Sequence, residues 1–179
     1  MTTAHCIAAT QAWLKNIIIG HQICPFAQHV SDNGGIHFQV DSEIDMEKSL
    51  FNLILECRRL SEHSEINTTL LIYAQGFKHF DDYLDFLALA ETLLVEQGYE
   101  GIYQLASFHP DYCFDDADQH DPANYTNRSP YPMLHLLRES ELEQAIAHYP
   151  DPENIPQRNI NLTRELGLQK MRALLAACY

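Results

Sequence analysis

Residues 101–132 read GIYQLASFHPDYCFDDADQHDPANYTNRSPYP. The stretch opens on YQLASF, a short apolar run of the length and composition of a core β-strand. It then becomes a polar segment denser in functional groups than any other part of the chain, from His109 and Asp111 through Cys113 and His120 to Asn127, Arg128 and Ser129. A core strand running into a long loop points to an open α/β sheet, in which ligands bind outside the carboxyl ends of the strands. A loop of this length without regular structure is usually functional or disordered.

Upstream, the pattern alternates. Residues 68–74, TTLLIYA, form a continuous apolar run typical of a strand buried on both faces. Residues 36–40 alternate apolar and polar, as in a strand with one wetter face. Between these runs lie helical patterns over residues 44–60, started by Asp41 or Ser42, and 80–97, ended by Gly98. A first helix is expected over residues 2–19, with Thr3 as cap and Gly20 as its end. Strand, helix, strand, helix, strand requires crossovers of helical length. The expectation is an α/β fold, with α+β as the variant: a small three-stranded, at least partly parallel sheet with flanking helices. Downstream, residues 132–138 and 142–148 are expected to be helical, and residues 160–178 helical around a break at Gly167. No repeat or linker divides the chain, so residues 1–179 are expected to form one domain.

Composition narrows the function classes. Lys and Arg number 11 against 25 Asp and Glu, a formal net charge of −14. Nucleic acids and anionic membrane surfaces are poor partners for such a chain, because both require clustered cations. No run approaches the ~20 apolar residues of a membrane span, and no basic-then-apolar leader opens the sequence. The five cysteines, Cys6, Cys24, Cys57, Cys113 and Cys178, are scattered and odd in number. This spacing fits free thiols in a reducing cytoplasm better than a disulfide framework.

Several phrases carry a family resemblance. They are Ile23-Cys24-Pro25-Phe26-Ala27, Thr68-Thr69-Leu70-Leu71, residues 80–86 (FDDYLDF), residues 103–112 (YQLASFHPDY), residues 127–132 (NRSPYP) and Tyr149-Pro150-Asp151-Pro152. With these phrases the chain resembles the bacterial domain of unknown function family numbered 1415, over nearly its whole length. The resemblance implies a single-domain cytoplasmic protein and no particular activity.

The candidate chemistry must therefore come from the residues. His109 follows a core strand and precedes Pro110, and Asp111 is near enough to orient its ring, as in a general acid/base. Asn127-Arg128-Ser129, with Tyr131, precede a helical pattern that Ser129 would cap. Helix-start amides and a bidentate Arg would together clamp a phosphate or carboxylate. Cys24 precedes Pro25, where a short helix would lower its thiol pKa and make it a nucleophile. A weaker alternative is a metal site drawing on His109, Asp111, Cys113 and His120, looser than any zinc-finger spacing. The leading expectation is a small enzyme acting on an anionic small molecule, with His109, Asp111 and Cys24 catalytic and Asn127, Arg128, Ser129 and Tyr131 binding. The alternatives are a non-catalytic ligand-binding or regulatory protein and a metal-dependent hydrolase using His109, Asp111 and His120. The sequence names no cofactor.

Overall fold

A computed structural model describes residues 2–179. Its centre is a sheet of four strands, β1 (Ile36–Asp41), β2 (Thr68–Tyr73), β3 (Tyr103–Phe108) and β4 (Met133–Arg138), in the order β1-β2-β4-β3. β1 and β2 are parallel, and β4 runs antiparallel to both of its neighbours. The α/β class holds, but the expected count of three strands is corrected to four.

The additional strand is the segment expected to be a helix after residue 132. Met133-Leu134-His135-Leu136-Leu137 is a short apolar run without clear period, for which sequence pattern cannot separate strand from helix. Leu and Met favour a helix locally. The open edges of β2 and β3 decide otherwise, because β4 satisfies both of them at once. Ser129 consequently caps no helix; its hydroxyl donates to the Tyr131 carbonyl, 2.6 Å away.

Helices cover both faces of the sheet. On one face, α1 (Thr3–Trp13), the π-helical turn Leu14–Ile19 and α7 (Leu168–Ala176) pack Trp13, Ile17 and Met171 against Leu70, Ile72 and Met133. On the other, α3 (Met46–Glu62) and α4 (Phe80–Glu96) pack Leu53, Leu60, Tyr83 and Phe86 against Leu71, Tyr73, Leu134 and Leu136. α2 (Ala27–Asp32), α5 (Glu139–Ala147) and α6 (Ile155–Leu166) complete the helices.

The cap of the first helix lies one residue earlier than expected. Thr2 is that cap, accepting the His5 amide at 3.3 Å. The helix also widens into a π turn at Leu14, which brings Leu14, Ile17 and Ile18 together into the core. Gly20 ends that turn where a Cβ would sit 2.7 Å from the Asn16 carbonyl oxygen.

β4 sets two expectations. Leu134 is fully buried, so Leu134→Ala should cost about 2–5 kcal/mol. Leu84 is 39% exposed, and Leu84→Ala should stay within about 0.5 kcal/mol. Urea unfolding of both variants makes the comparison. His135 also lies on β4, with Nε2 2.7 Å from Thr68 Oγ1. Burial pushes its pKa down to about 4. A depressed base is neutral in the folded chain, while the unfolded chain takes up a proton below about 6.5. The His135 share of the stability should therefore hold above that pH and fall as pH drops from about 6.5 towards 4, by up to about 1.4 kcal/mol per pH unit. Urea unfolding between pH 7.5 and 5 should show this slope, reduced in His135→Gln. Stability that is flat across the window would contradict it.

Candidate functional site

Phe108 pairs with Met133, so β3 and β4 form one antiparallel pair and residues 109–132 are the long loop of a hairpin. Such a loop has many backbone groups and no ladder to satisfy them. Its polar side chains do that work. Asn124 is fully buried; its Oδ1 accepts the Phe114 amide at 3.1 Å and its Nδ2 donates to the Asp118 carbonyl at 2.9 Å. Asn127 Nδ2 donates to the Ser107 carbonyl at 3.1 Å, tying the loop back to β3.

Arg128 belongs to the same frame. Nε donates to the Tyr112 carbonyl at 3.0 Å and Nη2 to the Gln119 carbonyl at 2.9 Å. The guanidinium lies 4.8 Å from the Tyr125 ring centroid. The Arg128 carbonyl accepts the Trp13 indole N–H at 2.9 Å, which anchors the loop to α1. None of these partners is a carboxylate.

His109 does lie beside this segment, since its amide donates to the Asn127 carbonyl at 3.2 Å. Its ring, however, is fully buried between Phe80 and Tyr83 of α4. Nε2 is 2.9 Å from the Phe77 carbonyl and must be the protonated nitrogen; Nδ1 accepts the Asp111 amide at 3.0 Å. Burial lowers the His109 pKa, against the Phe77 hydrogen bond and the Asp111 charge, which raise it. With both nitrogens bonded and the ring sealed, proton transfer to a ligand would require the loop to open. Asp111 meets His109 through its backbone amide, and its side chain is exposed. Tyr131 is buried against Tyr179, and burial raises its hydroxyl pKa to about 12. His120 is exposed. Among the described residues, no three His, Cys, Asp or Glu side chains are grouped as a metal ion would require.

Cys24 lies elsewhere. Its thiol packs at the margin of the α1 face of the core, whereas His109 sits against α4 on the other side, so the two are not brought together. The short helix after it begins at Ala27, with Phe26 as its cap residue, rather than at Pro25. Burial raises the Cys24 pKa; the Phe26 and Ala27 amides and the Arg158 charge pull it down without reversing that. The expected low-pKa thiolate is thus replaced by a protonated thiol.

Arg158, on α6, is what the sequence pattern missed. Its guanidinium bonds the Gln22 carbonyl through Nη2, the Tyr149 hydroxyl through Nη1 at 3.2 Å and Asn159 Oδ1 through Nη2 at 3.0 Å. Asn159 in turn donates to the Ile23 carbonyl at 2.7 Å. Phe26 meets Tyr149 edge-on, with centroids 5.5 Å apart. The Ile23–Ala27 and Tyr149–Pro152 phrases, far apart in sequence, therefore meet at one place. Arg158 lines a groove of ≈ 670 Å³ there, with His21, Gln22, Asp151, Asn154 and Gln157 among its walls. Gln22 (φ 54°) and Asp151 (φ 60°) are two of the three non-glycine residues in the left-handed region among those described. Strain of this kind costs on the order of 1–3 kcal/mol per residue and gathers at ligand sites. The scarcity of cations and two proline-marked turns were the only sequence signals for it.

The geometry defines a class: a layered α/β protein with an internally braced hairpin loop and an arginine-lined groove. The profile of the family described as Protein of unknown function (DUF1415) matches residues 5–173, and the chain belongs to that family. No curated protein and no solved structure matches it. No helix among the described residues is long and apolar enough to cross a membrane.

The loop geometry sets a further expectation. Arg128→Lys removes the planar fork that reaches two carbonyls at once. It should lower the melting temperature by a few degrees, roughly the 0.5–1.5 kcal/mol of a lost hydrogen bond, since one of the two bonds is part-buried and the other exposed. Phosphate or carboxylates should not restore it. Differential scanning calorimetry with and without 10 mM (~) phosphate checks this.

Proposed function

We propose that this chain is a single-domain cytoplasmic protein that binds a carboxylate- or phosphate-bearing small molecule in the groove between α6 and residues 20–26, with Arg158 holding the anion. One observation carries the reading. In a chain of net charge −14, Arg158 lines a ≈ 670 Å³ groove and its partners are all neutral. No carboxylate bonds the guanidinium, although Asp151 and Glu165 also line the groove, and its fork suits carboxylate and phosphate oxygens. The strained Gln22 backbone, whose carbonyl Arg158 grips, supports a preorganised seat. His21 and Gln157 supply further donors at the wall. The Cys24 thiol lies within the influence of the Arg158 charge.

In this reading His109, Asp111, Asn127, Arg128, Ser129 and Tyr131 are the scaffold that holds the β3–β4 loop, and binding rather than acid/base chemistry is the function. The unpaired state of all five cysteines supports the reducing compartment.

Isothermal titration with phosphate, citrate and succinate, against chloride at equal ionic strength, tests the reading. At least one polyanion should bind to the wild type. Arg158→Lys should weaken it about tenfold, the equivalent of about 1.4 kcal/mol, and His21→Ala by a smaller factor. Undiminished binding by Arg158→Lys and Arg158→Ala, or no binding by any anion, would overturn it.

A further inference from the structure

The opposite face of the sheet holds a second, unexplained feature. Among the described residues, five buried side-chain atoms lack a hydrogen-bond partner: His37 Nε2, Asp41 Oδ2, Ser49 Oγ, Thr69 Oγ1 and the Tyr73 hydroxyl. All five belong to β1, β2 and α3. The parallel register pairs His37 with Thr69 and Asp41 with Tyr73. Paired residues point to the same face, and Tyr73 places that face against α3 and α4. A helix that joins two parallel strands runs back against them, so Ser49, in the first turn of α3, lies at the carboxyl ends with Asp41 and Tyr73. Glu56, further along α3, approaches His37 within 3.7 Å at the other end of the seam.

The end with Asp41 is chemically incomplete. Asp41 is 3% exposed; Oδ1 accepts the Glu43 amide at 2.8 Å and Oδ2 accepts nothing. Among the described residues no Lys or Arg pairs with it, and Lys48 pairs with Glu43 at 3.5 Å. A buried carboxylate without a cation costs several kcal/mol unless something else supplies the charge and the donors. Ser49 and Tyr73, 0% and 1% exposed, add two hydroxyl oxygens that also lack partners. The Tyr73 ring meets Phe77 and Phe86 edge-on at centroid distances of 5.0 Å, so the site has aromatic walls. Phe77 is the third left-handed non-glycine residue (φ 56°), at the turn that closes the carboxyl end of β2. Glu43, two residues beyond Asp41, opens onto a groove of ≈ 500 Å³ whose walls include Asp45, Glu47, Lys48 and Phe51, three carboxylates against one ammonium. Phe51 is 61% exposed there.

We propose that the carboxyl ends of β1 and β2 form a site for a small primary amine, its ammonium group held by Asp41 Oδ2, Ser49 Oγ and the Tyr73 hydroxyl. An ammonium carries three N–H donors and one positive charge, which matches three unpartnered oxygens and one uncompensated carboxylate. The acidic mouth attracts the cation, the aromatic rings favour it, and Phe51 offers apolar surface for a short carbon arm. This site is independent of the Arg158 groove, on the other face of the sheet.

Thermal unfolding in methylammonium chloride, tetramethylammonium chloride and sodium chloride at equal ionic strength tests it. Methylammonium should raise the melting temperature saturably and the other two should not, because neither offers N–H donors. Asp41→Asn keeps an oxygen for the Glu43 amide and removes the charge, so it should fold and lose the methylammonium response. Ser49→Ala deletes a hydroxyl that bonds nothing within the chain, and should weaken the response three- to tenfold while leaving stability nearly unchanged; it serves as the second variant if Asp41→Asn does not fold. Equal responses to all three salts, an undiminished response in Ser49→Ala, or a crystal soaked in methylammonium with water alone at Asp41 Oδ2 would overturn the proposal.

Discussion

The pairing of β4 with β2 on one edge and β3 on the other is the constraint on which the rest depends. Once β4 enters the centre of the sheet, residues 109–132 must leave and return at one place, where Phe108 faces Met133. The loop cannot be covered by a ladder, and its backbone groups still need partners. Asn124, Arg128 and His109 supply partners for loop backbone groups, and Asn127 ties the loop to β3. The densest chemistry in the sequence is thereby explained as the bracing of a long hairpin loop. Trp13 then locks that loop to α1, coupling the first helix to the last strand.

Much of this was legible in advance. The strands at 36–41, 68–73 and 103–108 and the helices between them follow from periodicity, caps and glycines, because each is a local pattern long enough to read. β4 was not legible, because a five-residue apolar run has no period and its fate rests on open edges far away in sequence. The proximity of His109 to residues 127–128 followed from their shared loop, but the direction of each side chain did not. Sequence cannot tell an arginine that faces a ligand from one that faces carbonyls sixteen and nine residues away. It also gave no weight to Arg158, whose surroundings come from residues 22 and 149.

The distribution of cations separates structural from available charge. Arg138, on β4, reaches the carbonyls of Leu60, His63 and Ile66 at the end of α3 and pairs with Glu141 at 3.3 Å, so it acts as a helix cap. Arg164 pairs with Asp121 at 2.6 Å, which lowers the Asp121 pKa and joins α6 to the loop. Arg128 is taken up by loop carbonyls. Arg158 alone of these four combines neutral partners with a groove wall. A chain so acidic gains most from a cation placed where a ligand can reach it, and this contrast favours the α6 groove over the hairpin loop as the seat of an anion.

The central claim is that the hairpin loop is closed around His109 and that its chemistry is structural. Nitrogen-15 NMR of the histidine side chains measures this most directly. A sealed His109 should appear at neutral pH as the neutral tautomer protonated on Nε2, with Nδ1 accepting a hydrogen bond. It should show no titration as pH is lowered until the protein itself begins to unfold, in keeping with its depressed pKa. A His109 ring that titrates near the ordinary value of about 6.5 in folded protein, with both nitrogens exchanging freely with water, would contradict the account and return the loop to candidacy as a catalytic site.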